Sequence, residues 1–181
     1  MTLTPKDPLL LAARALILFF IAAFGLGVAG LAIGVPAFLL YRDPILAAMT
    51  EDNVTVVDAN FIPTMALVMV LAAALLGIAI WFLVLLRRIV DTVGIGDPFI
   101  SDNADRLRTM GWLALAGQVV AIPLGVVGFW LAGMVRDNDS VRLTGDFNIS
   151  GAGVVLVLVL FILARVFRQG AAMRKDLEGT V

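Results

Sequence analysis

Four apolar runs, at about residues 12–38, 62–88, 110–135 and 151–170, leave this chain very few ways to fold. About 20 apolar residues wound into a helix span the hydrocarbon of a bilayer. Inside that hydrocarbon every backbone amide and carbonyl needs a partner from the chain itself, which leaves helices or a closed barrel. Continuous runs of this length, without strand-like alternation, are helical. The reading is an all-α membrane protein: one integral domain over residues 1–181, built as a four-transmembrane-helix bundle. Composition agrees, at 61% hydrophobic and 15% charged, against about half and about a quarter in soluble domains. A cleaved signal peptide is the rival reading of the first run. Its apolar core would be about 7–15 residues long and end in a small-residue cleavage site. Here apolar sequence continues from Arg14 to Leu40, so an uncleaved first span is expected.

The residues that are missing exclude chemistry. The chain has no cysteine and no histidine. Disulfides, thiolate nucleophiles and cysteine metal sites are therefore absent, and so are the commonest general base and metal ligand. A net charge of −1 gives no electrostatic reason to bind nucleic acid. No catalytic residue, cofactor or metal site is expected, and the protein reads as a non-enzyme.

Sidedness follows from the basic residues. Lys6, Arg14, Arg87, Arg88, Arg106, Arg108, Arg165, Arg168, Arg174 and Lys175 lie in or beside the N-terminus, the middle loop 89–109 and the C-terminal tail. Only Arg42, Arg136 and Arg142 lie in the loops 41–61 and 136–150. The positive-inside rule places both termini and the middle loop in the cytosol and the other two loops outside. Trp81 and Trp112 fall toward the cytosolic ends of their spans, and Tyr41 and Trp130 toward the outer ends, as interfacial aromatic belts do. In the outer loops, 54–57 has strand composition and 140–149 alternates around a Gly-Asp turn. A small extracytoplasmic hairpin or sheet is expected there.

Intramembrane polar groups are few. Arg14 and Arg165 stand near the inner boundary and can snorkel to it. The one strongly polar mid-span side chain is Gln118, read first as an interhelical hydrogen-bonding group. Pro123 is expected to kink the third span. A small multidrug exporter would need a carboxylate in its first span, and there is none. Asp137, Asp139 and Asp146 fail the EF-hand pattern, which needs glycine at the sixth position and glutamate at the twelfth. Gly30 and Gly34 make a small-xxx-small step that admits a second helix. They support the alternative of a small transporter or channel component acting as a homo-oligomer.

The most motif-like stretch is 96–108, between the second and third spans. Pro98 ends the preceding helix. Ser101 or Asp102 caps a new one, with Asp102, Asn103 and Asp105 in the first turn where the dipole favours them. That helix rises into the third span. Phe99 and Leu107 then need apolar partners. The tail offers them: Val166, Phe167, Gly170, Met173 and Leu177 recur at helical spacing. Phe99 is expected to pack on Phe167 or Met173. The competing reading is a solvated tail drawn to anionic lipid by its basic residues.

These two stretches resemble a bacterial membrane family known as domain of unknown function 2975. The middle-loop pattern is carried by Gly96, Pro98, Phe99, Asn103, Arg106, Leu107 and Arg108, followed by Gly111 and Trp112. The tail pattern is carried by Val166, Phe167, Gly170, Arg174, Asp176, Glu178, Thr180 and Val181. Arg165 departs from it, because members often have an acidic residue there. The resemblance implies a four-span protein of the bacterial cytoplasmic (inner) membrane. It also implies a neighbouring helix-turn-helix regulator as partner. Function is then regulatory or sensory, with Gly96, Pro98, Phe99, Asn103, Arg106, Leu107, Arg108, Phe167, Gly170 and Glu178 as the candidate partner-binding face.

Overall fold

A computed structural model describes residues 8–51, 55–56, 59–94, 99–136 and 151–178. It contains α1 (Pro8–Leu40), α2 (Arg42–Glu51), β1 (Thr55–Val56), α3 (Phe61–Gly94), α4 (Ser101–Gly133), β2 (Val135–Arg136) and α5 (Gly151–Glu178). The helices α1, α3, α4 and α5 are long and apolar enough to cross a membrane. Their large apolar side chains are widely exposed, including Leu26, Ile33, Phe129 and Ile162, as lipid-facing surfaces require. This is a multi-pass helical membrane protein.

The helices start where local chemistry favours it. Pro8 opens α1 and Pro63 stands in the first turn of α3, where a missing amide costs nothing because that amide is unpaired anyway. Pro36 and Pro123 lie inside α1 and α4, and both helices continue through them. Each removes one backbone donor without ending its helix.

The charged boundaries in the sequence are not the helix ends. Within the loop 89–109, α4 begins at Ser101, one of the two expected caps, while α3 runs on to Gly94 beyond its expected end. Arg87 and Arg88 break the apolar run, but Ile89 beyond them is buried, so packing carries α3 another two turns. The loop expected at 41–61 likewise contains α2. Asp43 and Pro44 stand in its first turn, Ile45 N donates to Tyr41 O, and Thr50 Oγ1 caps back to Leu46 O. The β structure is a two-residue antiparallel pairing of Thr55 with Arg136 and Val56 with Val135. The hairpin expected at 140–149 lies outside the described residues.

Packing divides the chain into two units. The first comprises Met1–Gly25, Ile78–Gly117 and Ser150–Val181. Its core is Leu85 and Ile89 from α3, Leu107 and Met110 from α4, and Leu160 and Ala164 from α5. Phe82, Leu86, Leu113, Ala114 and Phe167 close around it. Trp112 meets Phe161 edge to face, with centroids 5.5 Å apart. The second unit comprises Leu26–Gly77 and Gln118–Ile149. In it α1 approaches α3 at two glycines one heptad apart. A Cβ on Gly27 would lie 3.1 Å from Leu76, and one on Gly34 would lie 3.0 Å from Met69. Gly30 has open space beside it, so the close-approach face runs through Gly27 and Gly34 rather than Gly30 and Gly34.

Candidate functional site: a polar latch and a basic cleft

Most of the motif residues gather in the first unit. The α4 start is held by a hydrogen-bond chain centred on Asn103, which is 0% exposed. Thr92, near the end of α3, donates its hydroxyl proton to Ile89 O at 2.7 Å. Its oxygen is then free to accept from Asn103 Nδ2 at 2.8 Å. That fixes the amide orientation, and Asn103 Oδ1 accepts from Arg106 Nη1, also at 2.8 Å. Arg106 reaches further, to Arg88 O at 3.4 Å and toward Asp102 at 3.8 Å. The chain ties the last turns of α3 to the first turns of α4. Both ends of the intervening connection are pinned in this way.

A second set of charges ties α1 to α3. Arg14 Nε lies 2.9 Å from Asp91 Oδ1, and Arg87 Nε lies 3.9 Å from Asp91 Oδ2. The Arg14 Nε atom is buried without an aligned hydrogen bond, so its short approach to Asp91 is a charge contact with poor directionality. Helix α3 has no basic residue in its own last turn. The negative end of a helix dipole attracts cations. Arg14 from α1 and Arg106 from α4 supply them instead.

The third connection joins α4 to α5. The Phe99 and Phe167 rings pack with centroids 5.2 Å apart and a 40° tilt, as expected from the sequence, while Met173 is exposed. The contact needs a glycine beneath it. A Cβ on Gly170 would meet Phe99 Cδ1 at 2.8 Å, closer than two such atoms normally come. Arg168 Nη2 donates to Asp105 Oδ1 at 2.7 Å, and both side chains are largely exposed.

The candidate residues therefore have different fates. Asn103 and Leu107 are buried, and Arg106 is 22% exposed in the latch. Phe99 is packed on one side and 44% exposed overall. Arg108 is exposed and lines a small cleft with Phe161, Ala164, Arg165 and Arg168. Gly96 and Pro98 lie outside the described residues, as does the Glu178 side chain. Gln118 belongs to the second unit and is half-buried in α4. Thr92 and Arg14 were missed as partners. The sequence signal for Thr92 was a hydroxyl one turn beyond Arg88, facing back along an apolar helix. Among the described residues no group of three or more aspartates or glutamates converges to hold a metal.

Beside this frame lies an open cleft of about 490 Å³ lined by Phe99, Ile100, Ser101, Arg168, Ala171, Ala172, Arg174 and Lys175. Three of its eight described lining residues are basic and none of those eight is acidic.

A four-span chain with this latch and this tail matches one family. The profile described as Protein of unknown function (DUF2975) matches residues 45–181, and the chain belongs to that family. No curated protein and no solved structure shows significant similarity to it.

Proposed function

We propose that the protein is a non-enzymatic regulatory or sensory component of a bacterial inner membrane. Its first unit faces the cytosol and docks a soluble protein partner. The observation that supports this is the exposed surface around the latch. Asn103, Arg106 and Leu107 are used internally. Phe99, Arg108, Arg168, Arg174 and Lys175 remain on or near the surface around the α4 start and the α5 end. An exposed ring among arginines suits a protein interface, where aromatic residues and arginine are enriched. The partner's face would be acidic. A small helix-turn-helix regulator carries its positive charge on its DNA-reading face, so it would dock through another surface.

The test is co-purification of the full chain with the regulator encoded beside it, in mild detergent. Arg174→Glu is the informative variant, because Arg106→Glu would break the latch as well as the face. Capture by the wild type and its loss in Arg174→Glu is the expected result. No capture by either protein overturns the reading.

A further inference from the structure

Helix α4 carries two polar groups at mid-span that its own chain leaves unused, and we propose that they join two copies of the protein into a parallel dimer. The first is the amide of Gln118, near the middle of α4. It is half-buried and has no hydrogen-bond partner among the described residues. The second is the carbonyl of Val119. In a helix it would accept from the amide four residues on. That residue is Pro123, which has no amide to give. Val119 and Pro123 are both exposed, so this opening lies on an uncovered face of α4. Hydrocarbon offers neither a donor nor an acceptor, and a backbone group freed by proline in a membrane helix is satisfied by a neighbouring helix instead.

The face around these groups has the spacing of a helix pair. Val119, Ile122, Val126 and Phe129 are exposed and follow one another in steps of three and four. That is the seam of a left-handed pair, with Val119 and Val126 at a and Ile122 and Phe129 at d. Gln118 then falls at a g position and Pro123 at the e position that follows. In a parallel pair the g and e residues flank the seam and meet across it. Gln118 of one copy therefore stands beside Pro123 of the other, where the Val119 carbonyl is open. Its Nε2 donates there, and the twofold axis repeats the bond on the other side. Acyl chains would cover the four apolar side chains and strand both polar groups. A second copy covers the face and satisfies both at once. Two copies inserted in the same sense are parallel whichever side is cytosolic. All six residues belong to the second unit, so the inference is independent of docking at the first.

The experiment uses the full chain in liposomes, and the lack of cysteine makes each introduced thiol unique. Ile122→Cys lies on the seam, and Leu26→Cys is an exposed control on α1. Mild oxidation is expected to give a disulfide-linked dimer with Ile122→Cys and little with Leu26→Cys. No bridge at 122, or equal bridging at both positions, overturns the dimer. Association is then measured by Förster transfer between two populations labelled at Met173→Cys, as the protein is diluted with lipid. Gln118→Leu, which suits hydrocarbon and keeps the fold, should weaken association about tenfold through the loss of two interhelical bonds. Pro123→Ala returns an amide to the Val119 carbonyl and should weaken it as well. Association unchanged in both variants overturns the polar seam, because packing of the apolar face alone would be indifferent to them.

Discussion

Asn103 is the residue on which the α3–α4 junction turns, because it is wholly buried and both ends of its amide are committed. Its Nδ2 donates to Thr92 and its Oδ1 accepts from Arg106. Truncation to alanine leaves the part-buried Thr92 hydroxyl oxygen and a mostly buried guanidinium without that partner. An unsatisfied buried polar group costs about 1–3 kcal/mol. Asn103→Ala should therefore lower the melting temperature in detergent by several degrees. Thr92→Val removes the other partner and should cost about 1 kcal/mol by the same reasoning. The double variant Asn103→Ala with Thr92→Val should cost less than the sum, because removing both partners leaves fewer stranded groups. Strict additivity in that cycle would mean that the 2.8 Å contact carries no coupling. The network also explains why the conspicuous charge of Arg106 is a poor guide to its role. An arginine in a loop invites a docking assignment, whereas its bonds to Asn103 and Arg88 make it a brace.

At the scale of elements, two of the contacts between α5 and the region of the α4 start should differ sharply in strength. The ion pair of Asp105 with Arg168 is short but solvent-exposed on both sides. Exposed pairs contribute about 0–1 kcal/mol, so Asp105→Asn should leave stability nearly unchanged. The ring contact has no such slack. Gly170→Ala would place a methyl 2.8 Å from Phe99 Cδ1, and overpacking of this kind costs about 1–3 kcal/mol. A smaller residue at 99 should relieve it: Phe99→Leu is expected to recover much of the Gly170→Ala loss while being mildly destabilising alone. Equal melting temperatures for Gly170→Ala and wild type would show that the ring moves aside freely. This pairing was legible in the sequence, since Phe99 needed an apolar partner and Phe167 and Gly170 recur on one helical face. So were the start of α4 at Ser101, one of the two expected caps, and the helical run of the tail. The end of α3 was not, because hydropathy marks where a chain leaves the hydrocarbon and α3 continues past that point on packing. The short α2 was hidden for a related reason. A ten-residue helix with little apolar periodicity declares itself mainly by Asp43 and Pro44 in its first turn. Arg14 as partner of Asp91 was equally out of reach, because 77 positions separate them and no local rule connects them.

For the whole molecule, the distribution of charge supports one prediction of membrane sidedness. The first unit carries the exposed cations Arg108, Arg165, Arg168, Arg174 and Lys175 and the ion-paired Arg14 and Arg87. Among the short connections of the second unit, the described basic residues are Arg42 and Arg136. Translocating a lysine- or arginine-rich segment is disfavoured during insertion, so the prediction is that the richer connections stay in the cytosol. Trp81, Trp112, Tyr41 and Trp130 are all exposed, as rings settled at a bilayer interface would be. The absence of cysteine makes this directly measurable, because a single introduced thiol is the only one present. Met173→Cys and Ser101→Cys, both exposed, should resist a membrane-impermeant maleimide in intact cells and react once the membrane is opened. Tyr41→Cys, exposed between α1 and α2, should react in intact cells. The reverse pattern would put the basic cleft outside and remove any route to a cytosolic regulator.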